Sequence, residues 1–211
     1  MTALLPWNRP TLGLLVGSFA LFMSLTGCGS QAPTAQVTIK SPAAPAQAKL
    51  TSTATLQDAR EGDKIEAGGA IRTGENGKAT LVYPDSTEIA LQPETYFEVK
   101  SEGFLGRQTA GGAIYKVKPQ QSGTKIETPH GVTAVLGTTF RINVATSGTA
   151  IWVEEGTVEF STVSGEKKAV KANENLNYSG SGKLADPTPT NPVDQQSLFN
   201  PGTAEPALNQ R

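Results

Sequence analysis

The sequence predicts an all-β domain running from about Leu50 to Tyr178, and three observations carry that prediction. Apolar and polar residues alternate along Phe140, Ile142 and Val144, along Ile151 and Val153, and along Val158 and Phe160, the two-residue period of strands with one face in a core. The segments between them, Thr146-Ser147-Gly148-Thr149 and Glu155-Gly156, contain the glycine that lets a chain reverse at little steric cost. No stretch of this region reads as a long helix. The seven apolar residues named are expected to face inward. Alternation is shared by a sandwich and by a solenoid-like roll, so both architectures stay open.

The first half of the domain repeats the pattern in shorter blocks. Glu61 to Ile65, Ile71 to Leu81, Pro84 to Leu91 and Thr95 to Val99 each combine β-branched or alternating residues. They are separated by Asn76-Gly77 and Pro84-Asp85, pairs that favour turns. In the middle, Phe104-Leu105 lies between Gly103 and Gly106, either as an exposed loop tip or folded back on the core. Gly111-Gly112 then leads into Ala113-Ile114-Tyr115.

Composition narrows the function. The chain has 211 residues, a formal net charge of −1 and 6% aromatic residues, which suits one modest domain with flexible flanks. Phosphate backbones are held by clustered Lys and Arg, and the positive charges here are scattered, so nucleic acid is not an expected partner.

The N-terminus has the pattern of an export signal. One positive side chain, Arg9, precedes an uncharged apolar run from Thr11 to Leu25 that is short for a membrane span of about 20 residues. Leu25-Thr26-Gly27-Cys28 follows and resembles the bacterial lipobox. That resemblance implies cleavage before Cys28, the only cysteine, and acylation of its thiol and new amino group. More than one acyl chain is needed for stable anchoring. A leader cleaved without lipidation and an uncleaved anchor are the alternatives. In a host with two membranes, Gly29 resembles the pattern exported to the outer one. Residues 1–27 thus read as signal peptide and 28–49 as acylated cysteine plus linker, since Pro42 and the Ala/Pro-rich run around it bury little. Residues 179–211, rich in Pro, Asn and Gln, read as a disordered tail. Within that tail Leu198-Phe199 is a small apolar pair, either solvent-exposed or docked.

Several motifs, in order, resemble the FecR-type domain, an all-β extracytoplasmic module. They are Gly62-Asp63, Ile71-Arg72-Thr73-Gly74, Pro84-Asp85-Ser86-Thr87, the glycine-led strand at Gly111, Thr128-Pro129-His130-Gly131, Gly137-Thr138-Thr139-Phe140 and Val153-Glu154-Glu155-Gly156-Thr157-Val158-Glu159. The likeness spans about residues 58–175. Leu136 stands where the family commonly has an arginine, and Asn173 takes a glycine place in the closing Ala172-Asn173-Glu174 turn, where asparagine tolerates left-handed φ.

Catalytic, metal and cofactor sites are not expected. His130 is the only histidine, no G-x-S-x-G segment is present, and a zinc cage or a calcium loop lacks its ligands. Glu154 and Glu155 are adjacent on a strand and are expected on opposite faces, so they cannot flank one glycosidic bond. Asp85 and Glu88 read as solvated carboxylates.

Two roles follow from the resemblance and the anchor. One is a non-enzymatic binding or scaffold module in the cell envelope, contacting a protein or glycan. The other is envelope signalling, because the proteins that name the family regulate sigma factors across a membrane. Only about ten residues precede the apolar run, so signalling would pass through another transmembrane protein. The expected contact residues are Trp152, opposite in face to Ile151 and Val153, with Arg141 and Asn143 on the neighbouring strand in one register. Alternatively Trp152 is covered by the domain's own tail or by a second layer.

Overall fold

A computed structural model describes residues 36–101, 103–119, 123–192, 194 and 199. The signal segment and Cys28 lie outside the described residues. In chain order the strands are β1 (Val37–Ala43), β2 (Ala46–Lys49), β3 (Gln57–Asp58), β4 (Lys64–Ile65), β5 (Ala70–Thr73), β6 (Lys78–Val82), β7 (Glu88–Leu91), β8 (Tyr96–Val99) and β9 (Phe104–Val117). They continue as β10 (Thr124–Thr128), β11 (Gly131–Val135), β12 (Thr138–Ala145), β13 (Gly148–Glu155), β14 (Thr157–Thr162), β15 (Lys167–Lys171), β16 (Glu174–Tyr178) and β17 (Thr188–Pro189). The expected all-β class is what the structure has, in an open sheet.

Pairing arranges these strands in two facing layers. The first runs β4-β1-β6-β7-β9-β12-β13-β16-β17. The second runs β3-β2-β5-β8-β9-β10-β11-β14-β15. From β10 onward the chain lays two strands in one layer, crosses, and lays two in the other, so the sandwich is wound like a roll. All neighbours pair antiparallel except β9 and β10, which are parallel.

β9 belongs to both layers and explains the architecture. Its first half pairs with β8 and its second half with β7 and β12, and the bend falls at Gly111, where φ is +77°. A side chain there would meet the Thr95 backbone at 2.5 Å, so glycine is required both by dihedral and by space. At the crossing from β13 to β14, Gly156 has φ of +86°, and a Cβ on it would stand 2.8 Å from the Gly137 carbonyl of the preceding crossing. The crossings pack on each other, and the Thr138 hydroxyl donates to the Thr157 carbonyl at 3.2 Å.

The core lies between the layers. Phe140, Ile142, Val144, Ile151, Val153, Val158 and Phe160 are all buried in it, as the alternation predicts. Tyr115 stacks on Phe140 with ring centroids 4.9 Å apart and tilts against Phe97 across the layers at 6.5 Å. Its hydroxyl donates to Gln108 Oε1 at 2.7 Å, while Gln108 Nε2 donates to the Gly111 carbonyl at 2.7 Å. A fully buried glutamine is tolerated because both ends are paired. Tyr83 reaches from the first layer to the Leu105 carbonyl of the second at 2.6 Å.

Two expectations need correction. Residues 37–49, read as linker, form β1 and β2: Val37 and Ile39 are buried against β4 and β6, and Ala46 and Ala48 against β5. The small side chains that made the segment look unable to bury area are what lets β2 pack closely, and Pro42 sits in a register irregularity between Lys40 and Ala43, where no ladder N–H is needed. The start of the tail is ordered too. Leu184 is buried in the core, and β17 pairs with β16, with Pro189 on an outer strand where its missing N–H costs nothing. Of the two readings of Phe104-Leu105, the structure has the one folded back on the core: the pair starts β9, with Leu105 buried and Lys125 Nζ 5.6 Å from the Phe104 ring centre.

Candidate functional site

The outer face of the first layer is built by register. Opposite the core row Ile39–Leu81–Ile89–Tyr115–Phe140–Val153 lies an outward row reading Lys40, Thr80, Ala90, Ile114, Arg141, Trp152, Asn175 and Thr188 across successive strands. Arg141 and Trp152 are direct cross-strand partners, and Asn143 faces Ala150 one step along. The register named from sequence is therefore the observed one, and the three predicted contact residues share a face. Their roles are a separate matter, taken up below.

The three differ in environment. Asn143 is exposed, whereas Arg141 and Trp152 are half-buried. Arg141 extends over the neighbouring strand: a side chain at Gly112 would touch its Nη2 at 3.4 Å and Asn143 Oδ1 at 3.6 Å. Loss of water around the guanidinium lowers its pKa below the ordinary arginine value. Next to Asn143 a groove of about 540 Å³ runs between Ala150, Asn177, Tyr178 and Lys183. A half-dry cation, a tryptophan face and an adjoining amide-lined groove can bind a protein segment or a sugar.

Sequence reasoning missed two features. Ile114, on the outward side of β9, is only 5% exposed; its place after Ala113 in a continuous apolar run was the available signal. On the outer face of the second layer, Leu136 is 64% exposed. It borders a groove of about 480 Å³ with Lys125, Ala134, Thr157 and Glu159, at the position where the resemblance would place arginine.

Other titratable groups serve the fold. His130 Nδ1 and the Thr149 hydroxyl hydrogen-bond at 2.9 Å, closing one end of the sandwich. Asp85 accepts from the backbone N–H and the hydroxyl of Thr87 at 2.9 and 3.0 Å, a local turn bond. Glu154 and Glu155 sit at a register irregularity, so strict alternation does not govern them, and both side chains are exposed. Among the described residues no group of three or more His, Cys, Asp or Glu is placed to hold a metal, and no helix is long and apolar enough to cross a membrane.

These strands define a two-layered β module whose charged residues decorate turns and outer faces. The family profile described as FecR protein matches residues 69–159, from the edge of β5 into β14, and this part of the chain is a FecR domain. The match is narrower than the span of about 58–175 expected from motifs. Two crystal structures of a candidate anti-sigma factor from Parabacteroides distasonis share the fold, each with a TM-score of 0.53 and 17% identity over 61% of this chain. The chain spans 63% and 62% of their lengths, less than two thirds. No curated protein matches it.

Proposed function

We propose that this chain is a lipid-anchored, extracytoplasmic FecR module that binds a protein partner in an envelope signalling chain. The observation that carries the reading is the FecR domain at residues 69–159, in a fold shared with a candidate anti-sigma factor. The role is non-enzymatic, a reading supported by the FecR match over residues 69–159. The lipobox-like Leu25-Thr26-Gly27-Cys28 supplies attachment to a membrane, and the outward face with Trp152, Arg141 and Asn143 supplies the contact surface. A protein segment fits it better than a glycan, because the guanidinium beside an indole answers an acidic and apolar side-chain pair.

The test is genetic. Transcripts dependent on an extracytoplasmic-function sigma factor are measured in cells lacking the chain and in cells complemented with it. A change on deletion, reversed by the wild-type chain and not by Cys28→Ala, is expected. Transcripts indifferent to deletion would remove the signalling role.

A further inference from the structure

The outer face of the second layer carries a row of five residues fixed by the strand registers. Phe104 on β9 lies beside Lys125 on β10, Lys125 opposite Ala134 on β11, Ala134 opposite Glu159 on β14, and Glu159 opposite Ala169 on β15. Their chain neighbours Leu105, Ile126, Val135, Phe160 and Val170 are buried in the core, so the row points outward, and none of its five members is buried. Two residues beyond Ala134, the exposed Leu136 overhangs the groove that Lys125, Ala134 and Glu159 line.

The row is complementary to itself turned over. Ala134 is at its centre, a cation and an anion flank it at one strand spacing, about 4.8 Å on either side, and a large ring and a methyl group close its two ends. A two-fold axis laid in the plane of the layer along β11 exchanges the two sides. Each Lys125 then stands over Glu159 of the second copy, each Phe104 ring over the small Ala169, and Ala134 and Leu136 over their own counterparts. Charge and size match at every position, as an isologous interface requires. In the adjacent row Val132 falls on the axis and Glu127 meets Ser161. Arg107 and Lys167 at the ends of that row carry their own counter-ions, Glu127 at 3.6 Å and Glu159 at 3.0 Å. A patch of one sign would call for an oppositely charged partner, whereas one charge of each sign set evenly about a centre calls for the same surface.

We propose that this face is a self-association surface, on which a second copy of the chain packs about a two-fold axis along β11, with two reciprocal Lys125–Glu159 contacts around a Leu136–Leu136 centre. Three residue rows over five strands present roughly 24 Å by 20 Å. That is less than the roughly 800 Å² per partner of a standard interface, so the dimer is a reversible one. Trp152 lies on the other layer and stays open in both copies, so the dimer offers two such faces to a partner and gains from engaging both. The assignment of those faces as signalling contacts rests on the function proposed above; the dimer itself does not.

Charge reversal tests the pairing. Cys28 is the only cysteine, so the full chain in detergent, carrying Cys28→Ala and Ala134→Cys, has a single thiol placed on the axis. Treatment with a short bis-maleimide is expected to give a dimer band. In place of Ala134→Cys, Val163→Cys puts the thiol on an exposed residue of the β14–β15 turn, away from the axis, and should leave the chain monomeric. Added to the Ala134→Cys chain, Lys125→Glu or Glu159→Lys sets like charges against each other at both contacts and should lower the dimer band about fivefold. Mixing the two reversed chains places opposite charges at both contacts again and should restore the band, as should both reversals in one chain. An equal band from Val163→Cys, no band from Ala134→Cys, or no recovery on mixing and in the doubly reversed chain would overturn the proposal. None of these readouts involves a signalling partner, so failure of the signalling reading appears separately, as sigma-dependent transcripts indifferent to deletion.

Discussion

Arg141 and Trp152 face each other across β12 and β13 on the side of the first layer turned away from the core. Their backbone neighbours Phe140, Ile142, Ile151 and Val153 are buried on the other side, so the pair is fixed in place by a rigid core and is half-open itself. A contact surface gains precision from such support, since the side chains are positioned before any partner arrives.

The core behind this surface should be sensitive to small changes. Phe140→Ala removes the ring stacked on Tyr115 and is expected to cost about 3–5 kcal/mol. Tyr115→Phe leaves Gln108 Oε1 without the Tyr115 donor and is expected to cost about 1–3 kcal/mol despite near-identical volume. Urea unfolding followed by circular dichroism checks both, with the slope unchanged if unfolding stays two-state.

Alkaline pH should act through two tyrosines. Burial pushes the hydroxyls of Tyr83 and Tyr115 well above their ordinary 10.0, with neighbouring Asp85 adding to the effect on Tyr83 and Tyr83 itself adding to that on Tyr115. The folded state therefore holds these protons more tightly than the unfolded one. Their contribution to stability is complete below pH 10.0 and is lost progressively as pH rises above it. Spectrophotometric titration should show Tyr83 and Tyr115 ionising only as the chain unfolds.

Membrane attachment should depend on one residue. Mass spectrometry of detergent-extracted protein is expected to find a mature chain beginning at Cys28 with acyl groups. Cys28→Ala should leave an uncleaved or soluble species. An unmodified Cys28 in membrane-extracted protein would contradict the anchor.

The sequence made the second half of the domain legible because each of its strands is long enough to show two or three alternations. Phe140 to Val144 and Ile151 to Val153 showed face and turn positions together. Residues 37–49 misled because small alanines and two prolines resemble a tether by composition, while burial of Val37, Ile39, Ala46 and Ala48 depends on β4, β5 and β6, up to tens of residues away. Leu184 and β17 were hidden for the same reason: a proline-rich edge gains its order from a core already formed. The Arg141–Trp152 pairing could be named as one register among several, but only hydrogen bonding between β12 and β13 selects it. The run Ala113-Ile114-Tyr115, apolar on both faces, signalled that Ile114 is covered but not which face covers it.

The most direct measurement is partner capture by the anchored chain, with a photo-crosslinking residue at the exposed position 143, compared between wild type and Trp152→Ala. Because Trp152 is half-buried and outside the core, the substitution is expected to leave the thermal midpoint nearly unchanged while the crosslinked partner band falls severalfold. Undiminished crosslinking in Trp152→Ala, or a loss of several kcal/mol in stability, would contradict the assignment of this face as the binding surface.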